Sequence, residues 1–227
     1  MQIKAMFNDI AKSYDLLNHL LSMGIDRLWR RKMVKIATRY NPCAILDLAT
    51  GTADLAIAMA RAGAERIVGV DISEQMIAVG QQKVTRKKME RLIHLQVADG
   101  EQLPFEDNSF DMVTVAFGIR NYENRQAGFA EILRVLRPQC RFLMLEFSIP
   151  QRAVMGYIYR FYFFKILPLV GKIISRHSSA YAYLPQSVDT FPCPRDVTKE
   201  LLKVGFESVD IQSVSCGIAH IYNIQKR

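Results

Sequence analysis

The sequence predicts an α/β fold built on a doubly wound, mostly parallel sheet of seven strands, and three observations carry that expectation. Short apolar runs alternate with helical segments between residues 44 and 148. Acidic residues stand at or just beyond the ends of the first three runs: Asp47, Asp71 and Asp99. The last two apolar runs, FESVDIQSV (206–214) and GIAHIYNIQ (217–225), follow each other with only a short link, which suits an antiparallel pair.

The elements follow in order. AILDLA (44–49) is an apolar run closed by a turn, as a buried parallel strand should be. LAIAMARAG (55–63) has helical composition and stops at Gly63. RIVGVD (66–71) is the second strand. Ser73 is placed to cap the next helix, which carries Glu74 in its first turn and runs to about Lys87. LIHLQVA (92–98) and FDMVTVA (110–116) are the third and fourth strands. RQAGFAEILRVLRP (125–138) is an amphipathic helix closed by Pro138, and RFLMLEFS (141–148) is the fifth strand. Strands joined through helices make right-handed crossovers, hence a Rossmann-like sheet. A further helix is expected near 195–204, and the last two runs complete the sheet as an antiparallel edge hairpin. The first 40 residues read as added N-terminal helices outside the sheet.

Half of the 227 residues are apolar, enough for one domain to bury its own core without staples. Cys43, Cys140, Cys193 and Cys216 are scattered with no CxxC pair, which predicts reduced thiols rather than a disulfide or zinc framework. No His/Cys/Asp spacing suggests a metal. The opening MQIKAMFNDIAKSYD lacks the basic-then-apolar pattern of a signal peptide. The net charge of +8 brings nucleic acid, an acidic membrane surface or an anionic substrate into consideration. On charge alone, a soluble enzyme with a solvated basic surface is the preferred reading.

Open α/β sheets bind ligands at the carboxyl ends of strands, near the switch in strand order. A dinucleotide would require G-x-G-x-x-G in the first turn, whereas residues 47–53 read DLATGTA, with Gly51 alone. Asp47 at the mouth of that loop repels a pyrophosphate but attracts an ammonium or a sulfonium. Asp71 closes the second strand, where a carboxylate can take both hydroxyls of a ribose. Adenosine joined to a cationic amino acid is S-adenosylmethionine (SAM). Asp47 and Asp71 would also serve as helix caps; two at successive strand ends, with Asp99 after a third, favour the cofactor.

Residues 45–54 (ILDLATGTAD), 70–76 (VDISEQM), 98–105 (ADGEQLPF) and 116–121 (AFGIRN) resemble the successive motifs of class I SAM-dependent methyltransferases. AFGIRN, KSYDLLNHLLSMGIDRLWRR (12–31), LEFSIP (145–150), the 157–176 stretch and AYAYLPQSVDTFP (180–192) are similar to one branch. That branch comprises the quinone C-methyltransferases acting on demethylmenaquinone and the ubiquinone precursor. The resemblance covers nearly the whole chain and implies a single methyltransferase domain. Its parts would be a helical lid (1–40), a cofactor-binding core (41–150), a substrate- or membrane-facing insertion (151–192), and a C-terminal helix and strands (193–227). It implies SAM as methyl donor, with no metal. Asp47, Gly51 and Thr52 would line its methionine part, Asp71 its ribose, Asp99 and Gly100 its adenine edge. Ala116 would begin the loop beside the sulfonium. Two positions depart from the family pattern. Ala53 replaces the second glycine of a usual GTGD, and RPQCR (137–141) replaces a usual PGGR turn. Ala53 is strained, by about 1 kcal/mol, only if its φ is positive. Gln139-Cys140 is expected in the connection before the fifth strand, away from the site.

Methylation of a ring carbon implies a reduced polyprenyl hydroquinone, because a deprotonated hydroxyl pushes charge onto the carbon beside it. The site then needs a proton acceptor, directly or through water, and a positive group near the phenolate. Arg120 is the candidate to orient water or stabilise the oxyanion, being always charged, and Asn121 the candidate to position the hydroxyl. Tyr14 and Asp15 are candidates for the lid. Against these stand plainer roles: a surface ion pair for Arg120, and helix packing for Tyr14 and Trp29. His19 suits a base or a cap, and His94, within a strand, a structural role.

AVMGYIYRFYFFKILPLVGKII (153–174) is apolar, but Arg160, Lys165, Lys172 and Pro168 argue against a spanning helix. Met155, Ile158, Tyr159, Tyr162, Phe163 and Ile166 form a helical stripe widened by Phe161 and Phe164. A core or homodimer-interface helix and a membrane-contacting helix are both open. The expected protein is cytoplasmic and peripherally associated with the inner face of the cytoplasmic membrane. No RNA-binding module is recognisable, so no nucleic-acid partner is expected. The alternatives are a methyltransferase acting on RNA or another small molecule, and a SAM-binding protein without catalysis.

Overall fold

The computed structural model describes residues 2–11, 14, 15, 22, 24–150, 156, 157, 161 and 178–227. The strands are β1 (Ala44–Leu48), β2 (Arg66–Asp71), β3 (Ile93–Val97), β4 (Phe110–Ala116), β5 (Leu136–Phe147), β6 (Phe206–Val214) and β7 (Ala219–Lys226). The helices are α1 (Gln2–Ile10), α2 (Ile25–Ala37), α3 (Asp54–Arg61), α4 (Glu74–Arg86), α5 (Arg125–Val135), α6 (Ser178–Thr190) and α7 (Pro194–Val204). The strands form one sheet in the order β3-β2-β1-β4-β5-β7-β6. The first five run parallel. β7 is antiparallel to both β5 and β6. The terminal pair is thus antiparallel, as expected, with β7 inserted beside β5 and β6 alone at the edge.

Strand alternation divides the interior into two layers. Ile45 faces a core with Trp29 and Met33 of α2 and Leu55 and Met59 of α3. Leu46 and Leu48 face the other, with Phe129 and Ile132 of α5 and Val197 and Leu201 of α7. Asp47 shares the face of Ile45 by the two-residue period of a strand, and so lies buried under α2 and α3. Order of connection reverses between β1 and β4, which places the crevice at their carboxyl ends.

Ser73 caps α4 as the sequence predicts: its Oγ accepts a hydrogen bond from Met76 N at 3.1 Å. The fifth strand departs from expectation. α5 stops at Val135, and β5 begins at Leu136 with Pro138 inside it. The pairing steps from Phe110↔Leu136 to Met112↔Arg141, so residues 137–140 bulge out of the ladder. Pro138 is tolerated there because a bulge relieves it of a ladder hydrogen bond. Gln139 takes φ 62° in this bulge, the conformation a glycine would adopt more easily.

α6, around the AYAYLPQSVDTFP segment, is a helix that the periodicity did not reveal. Of the 153–174 stretch, Tyr157 and Phe161 are exposed. The stripe of Met155, Ile158, Tyr159, Tyr162, Phe163 and Ile166, with Arg160, Phe164, Lys165, Pro168 and Lys172, lies outside the described residues, as does His19. All four cysteines are free thiols. Among the described residues, no helix is long and apolar enough to cross a membrane. No group of three potential ligands among them is placed to hold a metal ion.

Candidate active site

The cleft above β1, β2 and β4 has a volume of about 280 Å³, close to the ~300–1,000 Å³ of small-ligand sites. Its floor is the 49–53 loop, in which Ala49, Gly51 and Ala53 all have positive φ, at 48°, 55° and 66°. Gly51 is required for that conformation rather than for space: a Cβ there would meet only Tyr14 Cε1, at 3.8 Å. Two carboxylates hold the loop. Thr50 Oγ1 donates to Asp47 Oδ2 at 2.6 Å, and Gly51 N donates to Asp71 Oδ2 at 2.9 Å.

Asp71 ends β2, lines the cleft and also accepts from Ser73 N at 2.9 Å. Burial raises its pKa, opposed by the amides that donate to it. Asp47 is 1% exposed and accepts from Thr114 Oγ1 at 2.7 Å as well. Burial pushes its carboxyl up to about 6, against the two threonine hydroxyls. It borders a small space of about 20 Å³ that adjoins the cleft, both being lined by Tyr14, Ala49, Gly51 and Ala116; Arg30 and Thr52 also stand in its wall. That space has room for about one water molecule. Thr52 lies there too, donating to Asp15 and accepting from Lys83 Nζ at 3.0 Å.

Asp99, Gly100 and Ala116 line the main cleft, as do Tyr14 and Asn121. The 116–118 segment presses on the floor loop, since a Cβ on Gly118 would stand 2.5 Å from that of Ala49. α1 closes the cleft from above with Lys4 and Phe7. It is anchored by Lys4 to Glu74 at 2.6 Å, and by Ser73 Oγ donating to Asn8 Oδ1 at 2.6 Å.

Arg120 does not line the cleft. Its side chain is 6% exposed and pairs with Glu146 of β5, Nη1 to Oε1 at 2.8 Å. It also donates to Phe117 O, and through Nε to Ser187 Oγ at 3.3 Å. The surface pair weighed as its plainer role is therefore a buried one. Asn121 Oδ1 accepts from Tyr183 Oη at 2.9 Å, joining α6 to the same turn. Trp29 packs against Phe117 and Phe147 and donates to Ser215 Oγ at 2.9 Å. His94 is an exposed strand residue.

Sequence reasoning passed over Glu146, Lys83, Tyr183 and Tyr122. Glu146 carried a signal, an acid inside the apolar run FLMLEF of a central strand. Lys83 sits among polar helical residues and carried none.

The site fits an adenosyl ligand on its own chemistry. A carboxylate faces the cleft at the end of β2, and a glycine at 100 faces it where any side chain would strike Tyr122. The loop between β1 and α3 has a single glycine and is held by the carboxylates of Asp47 and Asp71, unlike a glycine-rich phosphate loop.

Strand order and cleft define the Rossmann-like fold of SAM-dependent methyltransferases. A SAM-dependent methyltransferase from Aquifex aeolicus superposes with TM-score 0.63 at 14% identity, covering 86% of this chain and 89% of that one. The [4+2]-cyclase SpnF superposes at 0.68 with 17% identity, over 90% and 81% of the two chains. Likeness at this identity therefore establishes the fold and leaves the chemistry open. The chain belongs to the ubiE/COQ5 methyltransferase family, whose profile matches residues 1–226. It is 44% identical to a ubiquinone/menaquinone biosynthesis C-methyltransferase UbiE of Geobacter sulfurreducens, over 99% of this chain and 88% of that one. It is 42% identical to a demethylmenaquinone methyltransferase of Thermus thermophilus, over 96% and 98%.

Proposed function

We propose that this protein methylates a ring carbon of a reduced polyprenyl quinone precursor, demethylmenaquinol or its ubiquinone counterpart, using SAM. The observation that carries this reading is the near full-length match to relatives named for that reaction. The bound cofactor supplies an electrophilic methyl group on a sulfonium. Asp71 would hold the ribose hydroxyls, and Asp99 with Gly100 the adenine edge. Asp47, Gly51 and Thr52 would complement the cationic amino acid. Ala116, small and at the end of β4, leaves the acceptor carbon free to approach within about 3–3.5 Å of the methyl.

Asn121 and Tyr14 stand at the acceptor side. Because Asn121 Oδ1 is occupied by Tyr183, its Nδ2 is left to donate to the developing phenolate. Arg120, neutralised by Glu146, fixes the 117–121 turn that bears Asn121. Phe7 and Tyr14 exclude water as parts of a lid spanning residues 1–40, over a core of 41–150. The 151–192 segment meets the prenyl tail at the inner face of the membrane. Exposed Tyr157 and Phe161 and the net charge of +8 suit that role.

The test is incubation with methyl-labelled SAM and each reduced quinone, followed by mass analysis of the product. Gain of one labelled methyl is expected. Binding of S-adenosylhomocysteine without methylation of either quinone sinks the reading. Asp71→Ala should weaken cofactor binding at least 10-fold, whereas Asn121→Ala should lower kcat and leave it unchanged.

A further inference from the structure

Asn121 lines the cleft, and its amide has two ends of nearly the same shape. Turned one way it presents an N–H donor to a developing phenolate. Turned the other way it presents an oxygen, which repels that charge. A partner on α6 settles the orientation: Tyr183 Oη donates to Asn121 Oδ1 at 2.9 Å. The phenol has no other hydrogen-bond partner among the described residues, so its proton goes to that oxygen. Burial raises the phenol above its ordinary range, and it stays protonated. Asn121 Nδ2 has no partner among the described residues and is the end left for the cleft.

The helix that carries Tyr183 is seated on the same turn. Ser187, 6% exposed, accepts from Arg120 Nε at 3.3 Å. Tyr183 and Ser187 stand at i and i+4 on one helix face, so α6 grips two successive residues of the turn. Val188 beside them packs with Phe147 and Ile218. We propose that Tyr183 is a positioning residue for methyl transfer, holding the Asn121 amide with Nδ2 toward the cleft, and that α6 is thereby part of the acceptor site. Methyl transfer then depends on α6 being seated, although none of its described residues lines the cleft.

This inference rests on the quinone-methylation reading, and the experiment separates the two. Turnover of each reduced quinone and binding of S-adenosylhomocysteine are measured for the wild type, Tyr183→Phe, Asn121→Ala and the double variant. Melting temperatures show that each folds. Phenylalanine keeps the ring and removes the donor. Tyr183→Phe should lower kcat about 5-fold, with KM for the quinone and affinity for S-adenosylhomocysteine unchanged. In the Asn121→Ala background the same change should lower kcat no further, because no amide is left to orient. A bond that only anchored α6 would instead lower the melting temperature and leave kcat alone. Asn121→Asp gives a second readout: it still accepts from Tyr183 but presents an oxygen to the phenolate, so kcat should fall at least as far as in Asn121→Ala. An unchanged kcat in Tyr183→Phe or in Asn121→Asp, or an equal loss from Tyr183→Phe with and without Asn121, overturns the proposal. If the wild type methylates neither reduced quinone, the methyltransferase reading is what fails.

Discussion

Arg120 Nη1 stands 2.8 Å from Glu146 Oε1, with the two side chains 6% and 1% exposed. Glu146 further accepts from Arg120 N at 3.3 Å and Phe147 N at 3.0 Å. Arg120 also lies over the Phe147 ring, 5.5 Å from its centroid. One carboxylate thus fixes both the backbone and the guanidinium of the turn that bears Asn121.

Breaking a buried pair leaves an uncompensated charge, at a cost of about 3–5 kcal/mol. Glu146→Gln keeps the shape and removes the charge, so it should destabilise by that order in urea denaturation. Arg120→Met in the same chain removes the stranded cation. The double variant should then be more stable than the two single losses add up to, by more than about 1 kcal/mol. A single-variant loss below 1 kcal/mol would show that the pair does not hold the turn.

Asp47 provides the pH-dependent prediction. Its carboxyl titrates near 6 in the folded chain, against an ordinary 3.8, because it is buried. Below pH 3.8 the acid is neutral folded or unfolded, and the cost of burying its charge is absent. Between 3.8 and 6 the cost grows, and above 6 it is fully present. Asp47→Asn should therefore stabilise the unligated protein at pH 7–8, on the order of 1–3 kcal/mol, and do nothing at pH 4. If the charge serves the cationic cofactor, the same variant should bind S-adenosylhomocysteine more weakly. A variant no more stable at pH 8 than at pH 4, relative to wild type, would refute the buried charge.

The sheet was legible because its strands are short apolar runs separated by helices, each closed by a polar turn. RIVGVD and FDMVTVA coincide with β2 and β4 to the residue. The fifth strand was misjudged because Pro138 reads as a helix stop, while in the fold it sits in a bulge that periodicity does not encode. In the site, Asp71 and Asp99 were legible from their place at strand ends. Asp47 was legible as an acid but not as one buried below the floor, a matter of which face of β1 it occupies and of what covers that face. Arg120 was read from its motif, yet its partner stands 26 residues away on β5. Tyr183 and Lys83 act through contacts that only the folded chain assembles.

Lys83 Nζ lies 2.8 Å from Asp15 Oδ2 and 3.0 Å from Thr52 Oγ1, and it also binds Asp54. One ammonium therefore joins the N-terminal segment, the floor loop and the start of α3. Asp15 and Asp54 retain 33% and 29% exposure, so water can serve them when the lysine is lost. Lys83→Met should thus cost about 1–2 kcal/mol, between the values for exposed and for fully buried pairs. Its larger effect should be release of the N-terminal segment, seen as faster limited proteolysis within residues 1–15. S-adenosylhomocysteine should restore protection if the segment closes over bound ligand. Unchanged cleavage would mean that α1 is held by its contacts with α4 and α6 without the lysine.

Ala53 has φ 66° and ψ 24° at the N-cap of α3, so the strain foreseen for this position is realised. Glycine would relieve about 1 kcal/mol of it. The methyl group, however, is fully buried, and removing it forfeits about 0.8 kcal/mol of burial. A glycine also frees the unfolded chain, a further loss of about 0.4–1 kcal/mol. These terms nearly cancel, so Ala53→Gly should leave stability within about 1 kcal/mol and the melting temperature within about 4 °C. Valine is the opposite case. A β-branched residue is a true outlier at positive φ, and the Ala53 methyl already packs near Gly80, where a Cβ would lie 3.4 Å away. Ala53→Val should destabilise by more than about 2 kcal/mol in thermal denaturation and loosen the floor loop with it. If glycine instead stabilised by 2 kcal/mol or more, Ala53 would be a reservoir of strain rather than a balanced replacement.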